Sequence, residues 1–256
     1  MLNRIFQLLL AACLVTGTSS AADEPFVGEW KLNPSRSKLT DQMKVESLGA
    51  NKYSFDFGGG GETILVDGAD HPGSFGTTLS VTVESPQAWK IVRKKDGRML
   101  VTAKWHLSQD NNTLTDDFTF VPQNGAPTNV KYTYKKSGRG SGFAGTWVST
   151  SEAMKSVFVL QIRPYEGDGL SFIYPSEERK NVKFDGKDYP NVGPIEGGPT
   201  SSIRRVHEHA LEMTDKIDGK ITKTEQITLS SDLKTLTITQ RTPSGSELTI
   251  LVFERQ

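Results

Sequence analysis

The sequence predicts an all-β protein made of two tandem antiparallel up-and-down β-barrels of about eight or nine strands each. Three observations predict it. Short runs rich in β-branched and aromatic residues recur at roughly 8–12-residue spacing, divided by Gly, Asp, Asn and Pro turn signals. Long amphipathic helical stretches are missing, and only Pro34–Met43 and Ser149–Met154 could hold a turn or two of helix. The chain also repeats itself. Phe26-Val-Gly-Glu-Trp30 returns 117 residues on as Phe143-Ala-Gly-Thr-Trp147, and Asp67-Gly-Ala-Asp-His-Pro72 returns 118 on as Asp185-Gly-Lys-Asp-Tyr-Pro190. Two further pairs, Asp96-Gly97 with Asp218-Gly219 and Thr113-Leu-Thr115 with Thr235-Leu-Thr237, are offset by 122. Four matches in the same order indicate an internal duplication.

Taken in chain order, residues 1–22 read as a removable signal peptide. Arg4 supplies the basic start, Ile5–Val15 an apolar run too short to span a bilayer, and Ser20 and Ala22 the small residues of a cleavage site. Cleavage there leaves 256 − 22 = 234 residues, or 2 × 117. The single cysteine, Cys13, lies inside this leader. Leu10-Ala-Ala-Cys13 also fits a bacterial lipoprotein signal, so a lipid anchor at Cys13 is the alternative to a plain hydrophobic-region cysteine. Without Cys13 the mature chain can use neither disulfides, thiol catalysis nor Cys-ligated zinc.

The first barrel is expected over 23–137. Leu79-Ser-Val-Thr-Val83 alternates with period two, and Lys95-Asp-Gly97 is a hairpin turn whose glycine accepts positive φ. Residues 138–142, Gly-Arg-Gly-Ser-Gly, read as a flexible linker. The second barrel is expected over 143–256, with strand-like Val157–Ile162, Leu170–Tyr174, Ile221–Leu229 and Leu236–Gln240. Tight hairpins between neighbouring strands favour closure into barrels, which removes exposed edges.

Charge excludes several functions. The chain carries 30 basic and 30 acidic residues, and the two halves, 23–140 and 141–256, count to +1 and −2. Neither offers the basic face of a nucleic-acid binder or of a polybasic membrane-surface protein. The mature chain has no run of 18 apolar residues, so no transmembrane helix is expected.

Gly28-Glu-Trp30 and Gly145-Thr-Trp147, each opening a β unit, together with the Asp-Gly turns and the closing Val252-Phe-Glu-Arg255, resemble the calycins, the lipocalin and fatty-acid-binding group. Phe184-Asp-Gly-Lys-Asp-Tyr-Pro190 and Lys234-Thr-Leu-Thr237 are similar to the repeat unit of an uncharacterised family of exported bacterial proteins. The resemblance covers nearly all of 26–256. It implies structural roles for Gly28, Trp30, Gly145 and Trp147, each indole packing under a basic residue of the last strands of its own copy. The expected partners are Lys131 or Lys135 in copy one and Arg241 or Arg255 in copy two. The chain departs from the fatty-acid-binding pattern at the Arg-x-Tyr pair that holds a lipid carboxylate. Tyr132-x-Tyr134 and Leu251-x-Phe253 stand there, without the bidentate guanidinium. The helical lid is missing too.

Candidate chemistry is sparse. The expected ligand-lining residues are Tyr53, Phe55 and Phe57 on one face of an early strand, Tyr132 and Tyr134, and in the other copy Phe172, Tyr174 and Phe253. His207 and His209 would share one strand face and are the weak metal candidates, without a third ligand nearby. Asp67/Asp70 and Asp185/Asp188 fit turns better than a calcium loop, which needs six or more oxygens. Gly58–Gly61 lacks the Lys-Ser/Thr and helix of a phosphate loop. No catalytic residue, metal or cofactor is expected. The sequence thus predicts a secreted or periplasmic bacterial protein binding a small apolar or amphipathic molecule inside a barrel. The alternative is an envelope or interaction protein with filled barrels acting through its surface, and an enzyme is the third reading.

Overall fold

Alternating sequence and paired positive-φ turns place twenty strands in the described residues. The structure, a computed structural model, describes residues 24–38, 42–57, 60–154, 156–194, 198–243 and 248–256. The leader 1–22 with Cys13, and Gly58 and Gly59 of the glycine run, lie outside them. The strands are β1 (Gly28–Leu32), β2 (Gln42–Gly49), β3 (Lys52–Asp56), β4 (Gly61–Leu65), β5 (His71–Pro72), β6 (Thr78–Ser85), β7 (Ala88–Lys95), β8 (Arg98–Leu107), β9 (Thr113–Phe120) and β10 (Thr128–Ser137). The second half holds β11 (Gly145–Met154), β12 (Val159–Tyr165), β13 (Gly169–Ile173), β14 (Arg179–Lys183), β15 (Tyr189–Pro190), β16 (Thr200–His207), β17 (Ala210–Ile217), β18 (Lys220–Leu229), β19 (Thr235–Arg241) and β20 (Leu248–Arg255). Asp96-Gly97 and Asp218-Gly219 both have positive φ at the two central positions, the geometry that matches a hairpin's twist.

The strands form two ten-stranded antiparallel sheets, each nearly closed into a barrel. Ten strands rather than the expected eight or nine arise because the two-residue strands β5 and β15 pair onto β6 and β16. The division of the chain also differs from the expected one. One sheet runs β4-β3-β2-β11-β10-β9-β8-β7-β6-β5, and the other β14-β13-β12-β1-β20-β19-β18-β17-β16-β15. The opening Gly-x-Trp strands are therefore exchanged. Strand β11, which begins the second repeat, fills the place between β10 and β2. Strand β1, which begins the first repeat, sits between β20 and β12. We call β2–β11 the 42–154 barrel, and β1 with β12–β20 the split barrel.

The exchange makes β10 and β11 sequence neighbours within one sheet. Residues 138–144 join β10 to β11 as neighbours within one sheet, with Ser137 opposite Thr146. Residues 138–142 are thus a hairpin connection, not the linker between barrels; β1 and β2 lie in different barrels, as do β11 and β12.

Each Gly-x-Trp strand builds the same plug. Trp30 and Trp147 are fully buried, and each indole Nε1 donates to the carbonyl four residues earlier, Phe26 O and Phe143 O, both at 2.9 Å. Arg255 lies over Trp30 with its Cζ 4.1 Å from the ring centre, and Lys136 over Trp147 with its Nζ at 4.7 Å. The glycine makes room for the cation: a Cβ on Gly28 would meet Arg255 Nη1 at 2.8 Å, and one on Gly145 would meet Lys136 Cγ at 3.2 Å. Both glycines also have φ near +150°, which side chains disfavour. The expected cationic partners need two corrections. Arg255 covers the tryptophan of the other repeat because of the exchange. Lys136 takes the place of Lys131 or Lys135, being the residue directly opposite Trp147.

Candidate functional site

Period-two alternation aims one side of every strand into its barrel, and the two interiors are filled differently. In the 42–154 barrel the inward faces are Glu62 and Ile64 on β4, Trp89, Ile91 and Arg93 on β7, Val101, Ala103, Trp105 and Leu107 on β8, and Leu114, Asp116 and Phe118 on β9. They leave a cavity of about 310 Å³. Phe57, Trp105, Phe118, Tyr132 and Tyr134 give it five aromatic rings, and Met43, Leu79, Ile91, Val101 and Ala103 the aliphatic wall. Two charged residues reach it, Arg93 and Asp116. This volume is at the lower end for small-molecule sites and equals about ten waters.

Arg93 is neutralised inside the wall. Its guanidinium donates to both oxygens of Glu62 (Nη2 to Oε1 2.6 Å, Nη1 to Oε2 3.0 Å) and to Thr77 Oγ1 at 2.8 Å. Glu62 Oε2 also accepts from the backbone N–H of Ser74 at 2.8 Å, tying the short β5–β6 connection to the barrel. Asp116 is buried in the β9 part of the wall. It stands directly opposite Trp105 on β8 and Tyr132 on β10, so the three form one row across the inner face.

The split barrel carries the same two-residue pair with its charges reversed. The repeat offsets align Glu62 with Lys180 (62 + 118) and Arg93 with Asp215 (93 + 122). Lys180 Nζ donates to Asp215 Oδ2 at 2.6 Å and to Glu225 Oε1 at 3.2 Å. Lys223 Nζ reaches the same carboxylates at 3.2 and 2.8 Å. Ser201 Oγ donates to Asp215 Oδ1 at 2.7 Å, and Gln240 Nε2 to Glu225 Oε1 at 3.3 Å. The side chains of Lys180, Asp215 and Glu225 are only 3, 6 and 1% exposed. Burial by itself would raise the Glu225 pKa, but the two ammonium groups hold it down at about 2. Burial would lower the Lys180 pKa, yet Glu225 and Asp215 raise it above its ordinary value.

The comparison explains where the cavity comes from. Glu225 and Lys223 align with Ala103 and Val101, Gln240 with Phe118, and Tyr174 with Phe57, all at offsets of 122 or 117. In the split barrel these polar side chains converge and fill the middle. In the 42–154 barrel, smaller Ala103 and Val101 leave space in the same place.

The expected lining residues divide accordingly. Phe57, Tyr132 and Tyr134 lie on the cavity wall. Phe55 is fully buried in the core beside it, and Tyr53 meets Trp89 edge-on at 5.2 Å. Phe172 and Phe253 are fully buried in the split-barrel core, and Tyr174 packs near Lys180 Nζ at 5.7 Å. His207 ends β16 and His209 lies in the following turn, donating its backbone N–H to His207 Nδ1 at 3.3 Å, so the two do not share a strand face. Among the described residues no group of three or more His, Cys, Asp or Glu side chains could hold a metal. Asp67 and Asp185 each cap the backbone two residues on and bond the ring at the fourth, His71 or Tyr189. Asp70 and Asp188 pair with Lys94 and Lys216. The duplicated aspartates are turn and surface ion-pair residues in both copies.

Glu62, Arg93, Trp105, Asp116 and the Lys180 cluster were not singled out by sequence reasoning. The signal existed as charges at inward parity: Lys223 and Glu225 alternate with Ile227 and Leu229, and Asp116 with Leu114 and Phe118. No protein-family model matches the chain, and no curated protein matches it.

Proposed function

We propose that this is an exported, lipocalin-like binding protein that holds one small apolar or amphipathic molecule inside the 42–154 barrel. The observation that carries this reading is the contrast between the interiors. One has five aromatic rings around about 310 Å³, while the aligned centre of the other is occupied by an ion-pair network. An apolar concave site with few, fixed polar groups is the usual form of a small-molecule pocket. The split barrel then acts as the rigid partner that supplies nothing to the ligand.

Native mass spectrometry of the protein purified from its own host tests the reading. The expected result is a non-covalent adduct on the full chain, released on denaturation and absent from Ala103→Phe, whose ring occupies the cavity. Bare mass throughout, with nothing extractable by solvent, would overturn it.

A further inference from the structure

Trp105 is 1% exposed, lines the cavity, and its indole Nε1–H has no hydrogen-bond partner among the described residues. This is unusual. The other two indoles that plug the barrels, Trp30 and Trp147, both donate to a carbonyl at 2.9 Å. A buried indole N–H normally finds an acceptor, because leaving a donor desolvated and unmet is costly. Its cross-strand neighbour on the same inner face is Asp116, a carboxylate whose two oxygens offer about four acceptor sites in all. A donor that needs an acceptor thus stands beside an acceptor that takes donors, on the wall of a largely apolar space.

We infer that the bound molecule carries a neutral hydroxyl, an alcohol or a phenol, set between Trp105 and Asp116. The inference rests on the binding reading above and names the chemistry of its ligand. A hydroxyl satisfies both neighbours at once: its oxygen accepts from the Trp105 indole and its hydrogen goes to the Asp116 carboxylate. A carboxylate ligand would also accept from Trp105, but it places its charge beside Asp116. The guanidinium that lines the same cavity, Arg93, is held by Glu62 and Thr77. An ether accepts from Trp105 and offers Asp116 nothing.

Three probes of equal chain length separate these cases: 1-octanol, octyl methyl ether and octanoate, titrated at pH 7 by isothermal calorimetry. The expected order is octanol tightest, the ether about tenfold weaker, and octanoate at least tenfold weaker again, since a hydrogen bond to a charged group is worth about 1.5–3 kcal/mol. In Asp116→Asn the penalty on octanoate shrinks at least fivefold. In Trp105→Phe octanol and the ether weaken together. The wild-type order decides the matter even where a variant folds poorly. Octanoate binding as tightly as octanol, or octanol binding no tighter than the ether, would overturn the hydroxyl assignment and leave the cavity reading standing. If none of the three binds, the cavity reading itself falls and takes the assignment with it.

Discussion

Replacing Lys180 with methionine perturbs the split barrel at its most charged point. Its ammonium lies 2.6 Å from Asp215 and 3.2 Å from Glu225, all three side chains nearly excluded from water. At an effective dielectric of about 20, each contact is worth roughly 5 kcal/mol before desolvation is subtracted. Desolvation takes back several kcal/mol per ion, so the pair as built contributes little net. Removing one partner is different, because Asp215 and Glu225 are left with Lys223, a part-exposed side chain, as the cation bonded to both. The expected loss for Lys180→Met is about 3–5 kcal/mol at pH 7. That is a large share of a typical stability of roughly 5–15 kcal/mol. Urea unfolding at pH 7 and pH 4 reads it, followed by far-ultraviolet circular dichroism.

The pH dependence gives the experiment its discriminating power. In the intact protein Glu225 stays ionised down to about pH 2. Without Lys180 the burial that raises its pKa is opposed by Lys223 alone, so the folded variant takes up a proton on acidification. The gap between the two proteins must therefore narrow from pH 7 to pH 4. A loss below about 1 kcal/mol at pH 7, or a gap that does not change with pH, would refute the view that this network is tightly coupled and dry.

Other outcomes follow from the same geometry. Wild-type protein should lose stability as pH falls from 4.5 to about 2, because the depressed Glu225 pKa contributes fully above the ordinary value and vanishes below the folded one; the size is on the order of 3 kcal/mol, and a stability curve flat over that window would contradict it. Deleting residues 1–32 should unfold the split barrel while the 42–154 barrel keeps its hydrogen-exchange protection; loss of protection in 42–154 instead would place β1 there and contradict the exchange. Arg255→Met should cost about 2–4 kcal/mol, since the side chain donates to the carbonyls of Leu233 and Val27 as well as covering Trp30. Lys136→Met should cost less, because Lys136 makes one close bond, to Gly142 O at 2.7 Å. Thermal melts of the two variants check that order.

Much of the architecture is legible in the sequence, and the reasons for the remainder are physical. Alternation and Asp-Gly turns reveal strands because each half-buried strand must hide every second side chain. The repeat offsets reveal two like units. They cannot reveal that β1 and β11 change places, because both copies present the same Gly-x-Trp strand to the same kind of neighbours. Short connections serve either pairing, 138–144 between β10 and β11 in the exchanged one and those after β1 and after β11 in the other, and the glycines of 138–142 read equally well as a linker. The lining was partly legible. Phe57, Tyr132 and Tyr134 stand out as aromatics on alternating strands, whereas Trp105 reads as ordinary core and Asp116 as one of two adjacent acids in Asp116-Asp117. The cavity itself depends on an absence of bulk at Ala103 and Val101, and small apolar residues carry no motif. The missing bulk shows only against Glu225 and Lys223 at the aligned positions of the other copy.

The most direct test of the central account, one binding barrel and one filled barrel, is the indole NMR spectrum of the nitrogen-15-labelled protein during titration with 1-octanol. The chain has four tryptophans, of which Trp89, Trp105 and Trp147 belong to the 42–154 barrel and Trp30 alone to the split barrel. Single Trp→Phe variants assign the four N–H signals. The account predicts that the Trp105 signal moves downfield and saturates at one ligand per chain while Trp30 stays fixed. A Trp30 signal that shifts with Trp105 stationary, or four signals that never move, would contradict it.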